Sequence, residues 1–279
     1  MYYYMNFIPV RKSASSRKQL FEVIEQVREL RGIANFNGYL IHEMYRGQAR
    51  AEWKLASNLV RKLDSPERAK EVERLVVLEF GERLKAEGLD LHLRQEFLKG
   101  KFHNEWLMLQ QAQHFGLPTR FMDWTIHWEV ALYFAVSDPA HDDADAQFWI
   151  YIVPDELFIS DGNEAKNQYL NDDPFESERM FFLNSSDFLD DDSEKKIAQR
   201  RKFRQHGRFF IQPYTSLFSP LEEQPQHQPY LFLITIPAAA KPGIRQELEN
   251  EGLSLDGLYV EQNARINQII KELRDKYGV

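Results

Sequence analysis

One passage, QHFGLPTRFMDWTIHWEVALYFA, constrains the fold most, because its pattern changes from helix to strand and back to helix within a short length of chain. A helical pattern over about 93 to 115 ends there, since Gly116 suits a left-handed helix cap and Pro118 prevents the helix from continuing. TRFMDW is short and rich in aromatic residues, as strands are. Thr125 can then cap a second helix. The passage predicts an α+β fold.

The rest of the chain supplies the other elements. The capping box from Ser16 to Gln19 predicts a helix over about 17 to 31, and GYLIHEMYRGQ predicts a strand that ends at Arg46. Ser65-Pro66 starts a helical insertion of about 55 to 60 residues after that strand. QFWIYIV, GRFFIQP and YLFLITI predict strands, and helices are predicted near 242 to 251 and at the C-terminal end.

Length and composition limit the class of protein. With 279 residues, 43% of them hydrophobic and 28% charged, we expect one globular domain over residues 1–279, with a core of about 20–235 and an extension over 236–279. No apolar run reaches the roughly 20 residues that span a bilayer, so we expect a cytoplasmic protein without membrane contact. The chain has no cysteine, which excludes disulfides, thiolate nucleophiles and cysteine-bound zinc.

The charge pattern opposes non-specific binding to nucleic acid or anionic membranes, because the formal net charge is −8. Two acidic tracts carry much of this charge, one over 142–145 and one over 187–194. We expect both tracts to be solvated loops.

Three clusters of residues can carry chemistry. In the first, Arg46, Gly47 and Gln48 lie at the end of a predicted strand. A guanidinium followed by glycine lets side chain and backbone approach a phosphate together, and the planar fork can bind it through two hydrogen bonds. The alternative is an arginine paired with a carboxylate in the core.

The second cluster concentrates polar groups at the ends of elements, which is what a ligand cleft requires. The alternative interpretation makes each residue structural: His114 caps a helix or lies in the core, Asp123 pairs with Arg120, and Trp124 is a core residue. The members of the cluster are Gln113, His114, Thr119, Arg120, Asp123, Trp124 and Thr125.

The third cluster runs from Arg201 to Phe209 and contains Gln205, whose amide can bind a ribose hydroxyl or an amide group. Its four cations can form a nucleic-acid patch, or a solvated helix end, which the overall acidity favours. The spacing of His114, Asp123 and His127 matches no familiar metal site, so we expect no metal. Dinucleotide-turn, P-loop and nucleophile-elbow motifs are missing from the sequence.

Taken in order, the three clusters resemble the FRG domain. The matching motifs are YRGQ with Trp53 and Leu55, then AQHFGLPTRFMDWT followed by VALYFA, and then Arg201, Gln205, Gly207 and Phe209. The resemblance covers about residues 20 to 235. The chain departs from the pattern at Ser57, where proline is expected, and at Phe121-Met122, where two leucines are expected. Both changes conserve packing.

The order of parts also resembles the ADP-ribosyltransferase fold, which implies a split β-sheet core with a helical insertion after the first strand, and NAD as the substrate. Arg46 would then hold the NAD pyrophosphate or ribose, and Thr125 would support the nicotinamide ribose. Such transferases have a glutamate where this chain has Gln205, so Glu261 or Asp123 would have to replace it. The candidate catalytic residues are Arg46, His114, Asp123, Thr125, Gln205 and Glu261. The candidate nucleotide-binding residues are Arg46, Gly47, Gln48, Phe115, Thr119, Arg120, Trp124 and Tyr133, of which Phe115, Trp124 and Tyr133 would flank the nicotinamide ring.

Three functions are open at this point. The resemblance implies an ADP-ribosyltransferase or NAD-consuming effector, for example a toxin or phage-defence component, that acts on a protein or nucleic-acid acceptor and has a neutralising partner. The second is a module that binds a nucleotide or nucleic acid without turnover. The third is an RNA-cleaving toxin that uses His114 with the arginine-rich segment.

Overall fold

The computed structural model describes residues 12–30, 42–89, 101–154, 157, 170–184, 207–254 and 264–279, and it has an α+β fold, as predicted. The described residues form six α-helices: α1 (Arg17–Leu30), α2 (Pro66–Ala86), α3 (His103–His114), α4 (Trp128–Val136), α5 (Lys241–Asn250) and α6 (Ala264–Tyr277). The strands are β1 (Lys12–Ser13), β2 (His42–Gln48), β3 (Phe121–Thr125), β4 (Ala146–Val153), β5 (Phe181–Asn184), β6 (Gly207–Ile211) and β7 (Leu231–Ile236). They form a mixed sheet in the order β1-β7-β4-β2-β3-β6-β5.

The chain divides into two compact units. Unit 1 comprises Met1–Leu55, Trp124–Asp155 and Pro220–Leu258, and unit 2 comprises Ala56–Asp123, Glu156–Ser219 and Tyr259–Val279. That the whole chain is one domain stays a prediction.

In unit 1, one face of the sheet is covered by helices. β2 pairs antiparallel with β4 along its whole length, β4 pairs antiparallel with β7, and β7 pairs parallel with β1. Apolar residues of α1, α4 and α5 form a core against this face, where Tyr45, Phe148 and Ile234 are buried. Each such side chain contributes about 1.5–3 kcal/mol when fully buried. The alternate residues of β2 and β4 project from the opposite face of the sheet, which these helices do not cover.

In unit 2, helices α2, α3 and α6 supply buried residues to one core, together with the antiparallel pair of β5 and β6. Helix α2 begins as predicted, because the Ser65 hydroxyl accepts a hydrogen bond from the backbone N–H of Arg68 at 3.2 Å and Pro66 occupies the first turn. Trp106 and Phe80 are fully buried in this core. Unit 2 therefore has a hydrophobic core of its own.

Most of the predicted elements are confirmed, with shifted ends. Strand β2 continues past Arg46 to Gln48, because Gly47 and Gln48 also pair with β4. Helix α4 begins after His127, whereas we predicted Thr125 as its cap; the Thr125 hydroxyl accepts the backbone N–H of His127 at 3.1 Å. Helix α3 begins at His103, and residues 93–100 of the predicted helix lie outside the described residues. The short strands β1 and β5 were not predicted.

The first acidic tract is a loop with Asp143 and Asp145 exposed, as expected, and its carboxylates also contact other parts of unit 1. Asp142 pairs with Arg245, and Asp143 pairs with Arg50 at 3.2 Å. The Asp145 carboxylate accepts the backbone N–H of Ala238 at 2.8 Å. The second tract, 187–194, lies outside the described residues. No described helix is both long and apolar enough to cross a bilayer.

Candidate functional site

The strand register of unit 1 places Arg46 opposite Trp149 on β4 and Gln48 opposite Gln147. Directly paired residues of antiparallel strands project from the same face, and successive residues alternate between faces. We call this surface the Arg46 face; on these strands it consists of Met44, Arg46, Gln48, Gln147, Trp149 and Tyr151. It is the face opposite to the helical core that contains Tyr45.

Side-chain amides organise the Arg46 face. The indole N–H of Trp149 donates to Oε1 of Gln147 at 3.0 Å, and the Gln147 amide donates to the carbonyl oxygen of Ala51 at 2.6 Å. The Gln48 amide donates to the carbonyl oxygen of Lys54 at 3.1 Å, whereas its buried Oε1 has no hydrogen-bond partner among the described residues. An unpaired buried acceptor costs about 1–3 kcal/mol.

Aromatic residues extend the same face. Trp124 adjoins Thr125, which pairs with Tyr45, so alternation places Trp124 on the Arg46 face. Its ring lies 5.7 Å from that of Tyr151. Arg46 itself is half-buried. The half-buried guanidinium of Arg46, the buried indoles of Trp124 and Trp149 and the buried amide of Gln48 therefore share one face of the sheet in unit 1.

A buried histidine lies behind these rings. The hydroxyl of Tyr151 forms a 2.7 Å hydrogen bond with Nδ1 of His227, which is 2% exposed. Burial disfavours the charged imidazolium and lowers the pKa of His227 to about 4. The imidazole is therefore neutral at physiological pH.

Two predicted site residues lie on the other face. Thr125 pairs with Tyr45 across β2 and β3 and therefore points away from Arg46. Tyr133 belongs to the helical core that contains Tyr45, and its hydroxyl is 3.4 Å from the carboxylate of Glu249. The sheet thus separates Arg46 from Thr125 and Tyr133.

Gly47 has a packing role. A β-carbon on this residue would lie 1.8 Å from the carbonyl oxygen of Ala131 and 2.7 Å from the backbone nitrogen of Ala135. Helix α4 therefore lies directly against β2 at this glycine. Glycine is required at this position because α4 packs closely against β2. From the sequence we had expected it to let the backbone approach a phosphate.

In unit 2, Arg120 is fully buried; its two terminal guanidinium nitrogens donate hydrogen bonds inside the protein, whereas its Nε has no hydrogen-bond partner among the described residues. It donates to the carbonyl oxygens of Ser177, at 3.0 Å, and Pro174, and its Nε lies 3.9 Å from the Glu73 carboxylate. Glu73 also accepts the hydroxyl of Tyr214. The ion pair of Arg120 is thus with Glu73, where the alternative interpretation expected Asp123. These contacts indicate a structural role for Arg120.

The neighbours of Arg120 form a separate chain of hydrogen bonds. The Thr119 hydroxyl donates to Oε1 of Gln113 at 2.7 Å, and the Gln113 amide donates to the Asp123 carboxylate at 2.7 Å. Thr119 is fully buried, whereas Asp123 is exposed. This chain orients Asp123 at the surface of unit 2.

Of the remaining candidate site residues, one lies at the end of a helix and the others lie outside the described residues. His114 is half-buried at the end of α3, with its ring 5.2 Å from that of Phe115. Gln205 and Glu261 lie outside the described residues, as does Arg201. The described part of the chain has no group of three or more His, Asp or Glu side chains placed to hold a metal ion.

Sequence reasoning missed several residues of the Arg46 face. Gln147, Trp149 and Tyr151 alternate along QFWIYIV, which could have indicated a shared face, but only the pairing with β2 shows that it is the face of Arg46. Outside the strands of this face, the half-buried Glu222 also went unnoticed; its carboxylate accepts the backbone N–H of Leu55 at 3.1 Å. Burial raises the pKa of Glu222.

The geometry defines an α+β protein with a half-buried arginine on an aromatic sheet face. Residues 42–144 match the family model of the FRG domain, so the chain carries an FRG domain over this segment. This confirms the family indicated by the sequence motifs, over a shorter range than the predicted 20 to 235. Comparisons with curated proteins and with solved structures gave no match.

Proposed function

We propose that unit 1 binds NAD or a similar nucleotide on the Arg46 face. The observation that carries this proposal is the placement of Arg46 and Gln48 on one sheet face with Trp149 and Trp124. A guanidinium can bind a phosphate through two charge-assisted hydrogen bonds. Aromatic side chains can pack against the flat heterocycle of a nucleotide.

Each group of the Arg46 face has a defined task in this proposal. Arg46 holds the pyrophosphate, and the hydrogen bond to Gln147 fixes the ring of Trp149 beside it. Gln48, which is 3% exposed, lies two residues from Arg46 on the same face, and its amide oxygen can accept a hydrogen bond from a ribose hydroxyl or a carboxamide N–H. Thr125 and Tyr133 are left out because they lie on the other face.

The activity that we propose is transfer of ADP-ribose to a macromolecular acceptor, or hydrolysis of NAD. It rests on the resemblance of the chain to ADP-ribosyltransferases. Cleavage of the nicotinamide–ribose bond passes through an oxocarbenium-like transition state, which a carboxylate stabilises. In the same proposal, the protein is a cytoplasmic effector that acts as a toxin or in phage defence. A partner protein neutralises it.

Calorimetric titration of the full chain with NAD tests the binding, using Arg46→Gln against Arg50→Gln. Arg50 is the matched control because it lies four residues further on and forms surface ion pairs with Glu52 and Asp143. Loss of a charge-assisted hydrogen bond costs about 1.5–3 kcal/mol, so Arg46→Gln should weaken binding by roughly 10- to 100-fold. The control should bind as the unchanged protein does.

Equal NAD affinity in the two variants would contradict the assignment of Arg46. Turnover is a separate question, which incubation with labelled NAD answers. Label transfer or nicotinamide release supports the transferase activity, and binding without either supports a binding module. RNA cleavage without NAD would replace both with the RNA-cleaving function.

A further inference from the structure

Unit 2 contains an open cleft of about 920 Å³ that the proposed NAD site does not use. One side is formed by α6, and the other by the segments 58–62 and 115–118. We call it the unit 2 cleft. Its volume is within the range of about 300–1,000 Å³ that is usual for small-molecule sites.

The charge of the unit 2 cleft is opposite to that of the whole chain. Four cationic side chains line it, and Asp275 is the one acidic side chain among its described lining residues. Asp275 lies 3.4 Å from the ammonium group of Lys271, which is 73% exposed. In a chain with a net charge of −8, such a cluster of cations indicates a local site for an anion. The cations are Arg61, Lys62, Lys271 and Arg274.

One hydrogen bond fixes part of this charge in place. Arg274 donates a hydrogen bond to the carbonyl oxygen of Gly116, which turns the chain with a φ of +87° after α3. A β-carbon at Gly116 would lie 3.4 Å from the same guanidinium. The guanidinium of Arg274 is therefore held over the turn, with donors left for a ligand, since arginine has five N–H groups.

The unit 2 cleft also has an apolar side. Phe115, Pro118 and Ile270 line it, and the Phe115 ring is fixed by packing at 5.9 Å from the ring of Phe80. Asn58 and Asn267 add amides that can donate or accept hydrogen bonds. Cations, amides and a fixed aromatic ring in one cleft suit a ligand that has both phosphate groups and a flat ring.

We propose that the unit 2 cleft binds a nucleoside diphosphate or a related small nucleotide. Its phosphates pair with Lys62, Lys271 and Arg274, and its base lies against Phe115 and Pro118. All residues that line the cleft belong to unit 2, whereas the Arg46 face belongs to unit 1. The net negative charge of the chain favours a small nucleotide over a nucleic-acid strand.

The experiment uses the full chain with the Arg46→Gln substitution, which on the NAD proposal weakens nucleotide binding at the Arg46 face by roughly 10- to 100-fold. ADP is titrated by calorimetry into this protein, into the same protein with Lys62→Gln and Lys271→Gln, and into the same protein with Lys18→Gln. Lys18 is the matched control, because it too forms an i,i+4 ion pair, with Glu22, and is 87% exposed. We expect one ADP per chain, an affinity loss of at least tenfold in the double lysine variant, and no change in the control.

Two further measurements separate the parts of the ligand. Inorganic pyrophosphate should compete with ADP for the cleft. Phe115→Leu should lower the affinity for ADP and leave the affinity for pyrophosphate unchanged. Equal ADP affinity in the double lysine variant and the control, or no ADP binding, would overturn the proposal. Binding of a single-stranded oligonucleotide but not of ADP would also overturn it. The double lysine variant and the control have the same Arg46 face, so the difference between their ADP affinities does not depend on the NAD proposal.

Discussion

Gly47 lies directly against Ala131: a β-carbon on Gly47 would come within 1.8 Å of the Ala131 carbonyl oxygen. This distance is far below van der Waals contact, so only a residue without a side chain permits helix α4 to pack on strand β2 here. The same strand carries Arg46 on its opposite face. The glycine of the YRGQ motif therefore supports the candidate site from behind.

Replacing Gly47 with alanine should destabilise the protein strongly, because the methyl group would overlap backbone atoms that no rotamer change can move. We expect a loss at or above the upper end of the about 1–3 kcal/mol that overpacking costs. The measurement is the free energy of unfolding in urea. Gly243→Ala is the control, since a β-carbon there meets no atom within 4 Å and the residue lies in helix α5. It should be neutral or stabilising by up to about 1 kcal/mol. Similar losses in both variants would contradict the packing role.

The buried ion pair of unit 2 gives a second prediction. Arg120→Met should destabilise the protein by about 3–5 kcal/mol, because it leaves the Glu73 carboxylate buried without its counter-charge. Adding Glu73→Gln removes that charge and should recover part of the loss. Urea denaturation of the two single variants and the double variant measures the coupling. If the effects of the single variants simply add, the two side chains do not act as a pair.

The lowered pKa of His227 should make the stability of the fold depend on pH. Its pKa in the folded protein is about 4, below the 6.5 of an unperturbed histidine. Between these values the unfolded state binds a proton that the folded state does not, so stability falls as the pH decreases from 6.5 to 4. Each pKa unit corresponds to about 1.4 kcal/mol, which makes the effect a few kcal/mol at most.

The test compares urea unfolding at several pH values between 4 and 7 for the unchanged protein and for His227→Gln. The variant lacks the titrating imidazole, so its stability should decrease less over this interval. His127→Gln is the control, because His127 is exposed. Parallel pH profiles for the unchanged protein and His227→Gln would show that His227 is not the group responsible.

Local patterns predicted many of the elements because short-range chemistry determines them. The Ser65-Pro66 start of α2 depends on a side chain and a backbone N–H three residues apart. The Gly116 turn after α3 depends on a φ of +87°, which glycine adopts without strain. Such signals say where an element begins and ends, and not what it packs against.

The candidate site was only partly predictable. The motif containing Arg46 was identified, but a residue list cannot show that Thr125 pairs with Tyr45 and so lies on the opposite face. Nor does the sequence show that Arg120 selects Glu73, 47 residues away along the chain, as the partner of its backbone N–H and its guanidinium. Both facts depend on contacts between distant segments.

The sequence by itself determined the α+β class, the cysteine-free chemistry, the start of α2 and the FRG motifs, because composition and contacts within a few residues suffice for these. The tertiary structure decided which face each motif residue occupies, since a one-residue change of register would exchange the two faces of a strand. It also decided that Gly47 serves packing and that four cations meet in the unit 2 cleft.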